Sequence, residues 1–204
     1  MTSSTPSDLA ERLLVIAYDI AAESGPASVS LRDVQRRAGV SAATAYWHYK
    51  DRAALLLAVS RRATSALADA LTEAIATADD PESSDLAAVC LGYMHFARDH
   101  QGLFQAVVLN SSTDEIMHPS DAARGAAGLA AFEVLQRAVA DFPRSDDADG
   151  VTDGDTVGDD PSVHVWASCH GLAALLIDTP MASLPESERE SLRRQHVRFI
   201  LGSL

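Results

Sequence analysis

Residues 30–52 read SLRDVQRRAGVSAATAYWHYKDR, two helices of about two turns each around a Gly-Val turn. Helices this short are marginal in water, because nucleation is costly and few hydrogen bonds follow it. They must pack on other helices. The stretch Leu9–Glu23 supplies one, with Leu9, Leu13, Ile16, Ala17 and Ile20 on a single stripe. Ser24-Gly25-Pro26 stops that helix. Ser30 is a suitable N-cap for a helix through about Ala38, and Asp33 favours its N-terminal dipole. Ser41 caps the second short helix, which ends near His48. Asp51 caps a long helix to about Ala78, with Leu55, Leu56, Val59, Ala63, Ala66, Leu67, Ala70 and Leu71 on its packing side. Val34, Ala38, Val40 and Ala45 put small apolar residues where the two short helices must approach. This is the pattern of a helix-turn-helix, whose second helix enters the DNA major groove.

The rest of the chain continues as helix. Asp79-Asp80-Pro81 breaks the pattern, and helices are expected at about 84–99, 101–109, 120–141, 162–178 and 186–202. The fold class is therefore all-α. A three-helix N-terminal domain, residues 1–52, precedes a helical bundle, residues 53–204. Within the bundle, residues 143–161 hold seven aspartates, several glycines and almost nothing apolar, so this stretch reads as a flexible acidic loop between two helices. A calcium loop needs ligands at positions 1, 3 and 5 and Glu at 12. From Asp153, position 5 is Val157 and position 12 is His164, so the spacing does not fit.

Charge divides the chain. Residues 1–65 carry eight basic and six acidic side chains, net +2, and the remainder eight basic and 23 acidic, net −15. A basic module on an acidic body can hold phosphate locally while the body discourages nonspecific adhesion. No apolar run approaches the ~20 residues that span a bilayer, and no secretory signal is visible, so neither a membrane nor export is expected. Two cysteines, Cys90 and Cys169, make no disulfide framework; the simplest setting is a reducing cytoplasm.

Enzyme signatures are missing: no G-x-S-x-G, H-E-x-x-H, Walker loop or G-x-G-x-x-G occurs. Cys169 and His170 are adjacent, so on a helix they diverge by about 100° and form no nucleophile–base pair. His95 and His100, five apart, are poorly placed for joint ligation, and nothing around His164, Cys169 and His170 completes a zinc set. No catalytic residue, metal or cofactor is expected.

The second short helix suits a groove chemically. Ala42 and Ala43 are small at its start, letting the backbone near base edges and a methyl touch thymine. Thr44, Tyr46 and His48 offer donors to phosphate, and Lys50 a full charge. Backbone N–H groups at the helix starts beside Ser30, Ser41 and Asp51 add anion-binding capacity. Trp47 has two readings: against the sugar-phosphate backbone, or packed under the helix.

The segment from about Leu9 to Val59 resembles the DNA-binding domain of the TetR (tetracycline repressor) family of bacterial regulators. The resemblance rests on Glu23-Ser24-Gly25, Ser30-Leu31-Arg32-Asp33-Val34, Ala38-Gly39-Val40-Ser41, Thr44-Ala45-Tyr46-Trp47-His48-Tyr49-Lys50 and Leu55-Leu56. It implies base or groove contacts from Ala42, Ala43 and Trp47. It implies phosphate contacts from Ser30, Arg32, Thr44, Tyr46, His48 and Lys50. Ala45 departs from the Leu often found there, and Ala54 from the Glu that would complete a capping box with Asp51.

The same resemblance implies that the C-terminal helices bind a small-molecule effector and form a homodimer on a palindromic double-stranded DNA operator. Trp166, His170 and Gly171 give W-x-x-x-H-G, similar to the signature of one C-terminal subgroup. Trp166 and His170 share a helix face, at a ligand pocket or as an ordinary packed pair; Gly171 permits close helix approach. Candidate pocket residues are Cys90, Met94, His95, Phe104, Val108, Met117, Trp166 and His170, with His118 nearby. Candidate dimer residues are Val165, Cys169, Leu172 and Leu176 on one helix and Leu192, His196, Phe199 and Ile200 on the next. The expected function is a ligand-released transcriptional repressor. The alternative is a DNA-binding or scaffold protein of the same fold without an effector.

Overall fold

A computed structural model describes residues 6–78, 84–109, 122–143 and 160–204. Among them the regular structure is helical throughout. The helices are α1 (Pro6–Ser24), α2 (Leu31–Ala38), α3 (Ala42–His48), α4 (Arg52–Ala76), α5 (Asp85–Asp99), α6 (Gln101–Leu109), α7 (Ala122–Ala140), α8 (Pro161–Asp178) and α9 (Glu186–Leu201). Short 3-10 turns at Pro26–Ser28 and Pro180–Ser183 were not anticipated; each begins on a proline that presets φ. Residues 144–159, most of the expected acidic loop, lie outside the described residues.

The chain packs as two compact units. Unit 1 comprises Met1–Ala66 with His100–Gly128, and unit 2 Leu67–Asp99 with Leu129–Leu204. Unit 1 thus takes in α1, α2, α3, the first part of α4 and α6, while α5 falls in unit 2.

Local chemistry sets the helix ends of unit 1. The Ser30 hydroxyl accepts from the Asp33 N–H at 3.1 Å and the Ser41 hydroxyl from the Thr44 N–H at 3.1 Å. The Asp51 carboxylate accepts from the Ala54 N–H at 2.7 Å, which caps α4 without the missing Glu. After α2, Gly39 turns left-handed at φ +67. Its N–H and that of Val40 return to Arg36 and Gln35, the Schellman pattern that needs a residue without Cβ strain.

The core of unit 1 gathers Leu13, Ala17, Ile20 and Ala21 of α1, Leu31, Val34 and Ala38 of α2, Ala45 of α3, and Leu55, Val59 and Ala63 of α4. Leu103, Phe104, Ala106 and Val107 of α6 are buried with them. Helices α1 and α6 meet backbone to backbone. A Cβ at Gly102 would lie 2.1 Å from the Ala21 carbonyl oxygen, so only glycine fits.

In unit 2, α5 packs on α8 and α9, and α8 on α9. Leu86, Val89, Cys90, Tyr93 and Met94 of α5 meet Val165, Cys169, Ala173 and Leu176 of α8 and Val197 and Ile200 of α9 in a continuous core. Arg193 of α9 is only 2% exposed. Its guanidinium bonds Glu186 at 2.8 Å and Glu190 at 3.2 Å, and Glu190 also meets His95 Nε2 at 2.9 Å. This ties the C-terminal half of α5 to α9. Burial would raise the Glu190 carboxyl, but the His95 and Arg193 hydrogen bonds bring it below its ordinary value.

Among the described residues no helix is long and apolar enough to cross a membrane.

Candidate functional site

Helix α3 presents its side chains to solvent from a fixed base. Ala45 alone is buried, pinning α3 to the core, while Ala42 and Ala43 at its start are exposed. Tyr46 is 54% and Trp47 72% exposed. The Trp47 ring meets His48 edge-on, centroids 4.6 Å apart. Of the two readings of Trp47, the structure takes the outward one; it does not pack beneath α3. Large aromatic groups on the outside of a short helix cost solvation unless a partner covers them.

Polar groups surround this face. Ser41 caps α3 and its hydroxyl also meets that of Thr44 at 2.7 Å. Ser30 caps α2, Arg32 is exposed at that helix's start, and Lys50, the chain's only lysine, is exposed just past α3. Asp33 is spoken for: it pairs with Arg36 and, at 2.9 Å, with Arg37. The Arg36 hydrogen bond holds its carboxyl below the usual range.

Three residues that hold this face in place escaped the sequence reading. Arg52 donates from Nε to the Val29 carbonyl at 2.7 Å and from Nη2 to Pro26 at 2.9 Å and Ala27 at 3.1 Å. It fastens the α1–α2 connection to the start of α4. The Arg12 guanidinium donates to the Ala38 carbonyl at the C-terminus of α2, and the Tyr49 hydroxyl donates to the Ala10 carbonyl at 3.3 Å. Each partner is 23 or more residues away in sequence, so no local pattern announces it.

Unit 2 contains a small cavity of about 20 Å³. Leu67, Leu71, Val89, Cys90, Tyr93, Ala131, Phe132, Leu135, Trp166 and Cys169 line it. Cys90 and Trp166 were expected at a pocket. Cys169 was expected at a dimer face, yet it is buried and lines the cavity beside Cys90. The neighbouring Cys90 thiol and burial push the Cys169 thiol up.

The Trp-x-x-x-His pair has a geometric explanation. One turn apart on α8, both residues bond the hydroxyl of Tyr93 on α5. Trp166 Nε1 donates to that oxygen at 3.1 Å, and the hydroxyl lies 3.0 Å from His170 Nδ1. Indole can only donate, so the Tyr93 oxygen accepts from Trp166, and the same hydroxyl shares a hydrogen bond with His170 Nδ1. Burial raises Tyr93 and lowers His170, which keeps both neutral. Tyr93 was not named from sequence, although it stands three after Cys90 and so on the same face of α5.

Other expected pocket residues lie elsewhere. His95 is taken by Glu190 in the ion network, Met94 packs in the α5 core, and Phe104 is buried in unit 1; none lines the cavity. The Val108 side chain, Met117 and His118 fall outside the described residues. The expected dimer stripe also divides. Val165, Cys169, Leu176 and Ile200 are buried in the protomer's own core, because each sits on the face of α8 or α9 turned inward. Leu172, Leu192 and His196 are half-buried, and Phe199 is 67% exposed. Leu175, not anticipated, is 47% exposed. His196 Nε2 meets the Ser168 hydroxyl at 2.9 Å and its ring stacks on Phe199. A Cβ on Gly171 would meet nothing within 4 Å.

Among the described residues no group of three or more His, Cys, Asp or Glu is placed to hold a metal ion.

A three-helix head with an exposed recognition helix, carried on an α-helical chain, defines a helix-turn-helix DNA-binding protein. The comparisons agree. Residues 13–59 match the model for bacterial regulatory proteins of the tetR family, and residues 86–199 that for the tetracyclin repressor-like C-terminal domain. The chain belongs to the TetR family: it is a DNA-binding transcriptional regulator and not an enzyme. A protein of unknown function from Rhodococcus sp. RHA1 superposes with TM-score 0.67 at 25% identity, over 97% of this chain and 95% of that one. A bacterial regulatory protein in the tetR family from Rhodococcus RHA1 gives 0.57 at 18%, over 98% of each. FadR from Bacillus subtilis, in complex with stearoyl-CoA, gives 0.64 at 12%, over 95% and 98%. None of the curated proteins matches the sequence.

Proposed function

We propose that the chain is a homodimeric, cytoplasmic repressor that leaves a palindromic operator when a small molecule binds its C-terminal part. Residues 1–52 form the reading head and residues 53–204 the effector-binding and dimerisation body. The observation that carries the reading is the outward face of α3, where Ala42, Ala43 and Trp47 are exposed on a helix pinned by Ala45. In the groove, Ala42, Ala43 and Trp47 meet bases or groove walls. Ser30, Arg32, Ser41, Thr44, Tyr46, His48 and Lys50 hold phosphates around them.

A seven-residue helix reads too few base pairs for specificity, so two copies must act together at half-sites about one helical turn, or a multiple, apart. The outer faces of α8 and α9 suit the partner copy. Leu175 and Phe199 are exposed there and Gly171 leaves a notch, so a twofold mate would close a four-helix bundle. The stearoyl-CoA held by the FadR neighbour supports effector binding in this fold. An effector releases DNA only through different affinities for the bound and free conformations.

Selection of genomic fragments by the purified protein tests this. Enrichment of one inverted repeat, and its release by some compound of a panel, supports the reading. Recovery of no sequence above background contradicts it.

A further inference from the structure

Two of the proposed phosphate contacts stand at opposite ends of the helix-turn-helix. Ser30 caps α2, and Lys50 lies between α3 and α4. Phosphates line a duplex at fixed intervals. Two contacts on separate elements therefore act together only where the protein presets their separation; a head that must find the spacing on binding loses affinity to the ordering.

One side chain joins the two ends. Arg52 opens α4, two residues after Lys50 and next to the Asp51 cap. Its Nε donates to the Val29 carbonyl at 2.7 Å, and its Nη2 to those of Pro26 at 2.9 Å and Ala27 at 3.1 Å. Val29 precedes the Ser30 cap and is 0% exposed, so its backbone is held on the core side as well. Pro26 and Ala27 belong to the 3-10 turn that carries α1 into α2. A turn of three residues can satisfy few of its own carbonyls, and the planar guanidinium, with its donors in a fixed fork, gathers them. Charge alone would make Arg52 one more phosphate contact beside Lys50. Its donors are instead turned on the chain's own carbonyls.

We infer that Arg52 is a positioning residue for DNA binding: it sets the separation of Ser30 from Lys50, and acts on affinity through that spacing rather than through contact of its own charge with DNA. The inference rests on the phosphate roles proposed for Ser30 and Lys50, and it adds the residue that keeps them in register.

Affinity of the full chain for duplex DNA is measured at low salt, below the melting temperature of every variant. A mixed-sequence duplex serves as probe, because phosphate contacts carry no sequence information. Arg52→Gln should bind about tenfold more weakly than the unaltered chain. Arg52→Lys, which keeps the charge and lacks the fork, should bind about fivefold more weakly or worse. In a Lys50→Ala background only one of the two points remains and their separation no longer matters, so either substitution should cost less than about twofold. Melting is the control. Lys50 is exposed, so the Arg52 substitutions should lower the melting temperature equally with and without Lys50→Ala. A purely structural role would move melting and leave no coupling to Lys50 in affinity.

Arg52→Lys binding within about twofold of the unaltered chain would overturn the inference, because charge alone would then suffice. So would a loss in the Lys50→Ala background as large as in its absence, the additivity of a direct contact. An Arg52→Gln variant that binds as the unaltered chain does would overturn it too. Should Arg52→Gln not fold, Arg52→Lys carries the same cycle. An unaltered chain that binds neither this duplex nor any selected fragment removes the proposed function and the inference together; a chain that binds, with any of the contrary results, removes the inference alone.

Discussion

The residues of unit 1 proposed to address DNA stand outside, on a helix pinned by Ala45, with caps and ion pairs arranged around them. In unit 2 the distinctive side chains point inward: Tyr93, Trp166 and His170 hold one another, and two thiols share a cavity wall. The difference follows from what each face would have to recognise. Phosphates and base edges are solvated and charged, so their receptors can remain in water. A small-molecule effector, by contrast, is held by what encloses it.

Five substitutions or conditions sharpen or break this contrast, from the largest effect to the smallest. Gly102→Val should destabilise unit 1 by about 3 kcal/mol or more, because its Cβ would fall on the Ala21 carbonyl. Chemical denaturation of the variant checks this; an unchanged midpoint would mean that α1 and α6 do not meet as described.

Tyr93→Phe removes the hydroxyl that both Trp166 and His170 bond, leaving two polar groups in unit 2 without it. A loss of about 2 kcal/mol is expected, with DNA affinity of the folded protein retained. A parallel collapse of DNA binding at temperatures where the variant is folded would tie the two regions more tightly than the contrast allows.

Lys50→Ala should weaken binding to all sequences about tenfold at low salt. It should also reduce the slope of log affinity against log salt by about 0.9, one phosphate contact. Melting should not change, because Lys50 is exposed. Affinity measured at four salt concentrations decides it.

Ser41→Ala removes the cap of α3 and should cost about 1 kcal/mol in unit 1; thermal melting reads the loss. Ser41→Asp should restore most of the stability while repelling phosphate, so it separates cap from contact.

The smallest effect is on pH. Burial holds the His170 imidazole below its ordinary 6.5, so the unfolded chain takes up this proton first. The contribution is complete above about pH 6.5 and is lost as pH falls from there toward the lower folded value. His170→Gln should flatten that part of the stability profile. A stability that instead rises on acidification through this range would contradict the neutral imidazole.

What was legible from sequence divides along the same line. The ends of α2 and α3 could be read because their causes are local: Ser30, Ser41 and Gly39 act within five residues. The order and approximate limits of the helices followed from apolar spacing. The reach of Arg52 to Pro26 and of Arg12 to Ala38 could not be read, since each depends on how α1, α2 and α4 cross. Unit 2 was harder for that reason. Its helices were placed, but which face of each turns inward depends on its rotation against the others, and spacing alone leaves Cys169 and Leu172 on one stripe. Hence Cys169 went to the cavity, His95 to Glu190, and Tyr93 and Leu175 were missed. The acidic stretch 144–159 lies outside the described residues, so its expected loop remains a reading of composition.

The account turns on α3 entering DNA as one of a symmetric pair. Mass measurement of the complex with a selected fragment, alongside a Trp47→Ala variant, tests this most directly. An even number of chains per fragment is expected, with sequence preference lost in the variant while its melting is unchanged. One chain per fragment, or a variant that selects the same sequence with the same affinity, would contradict it.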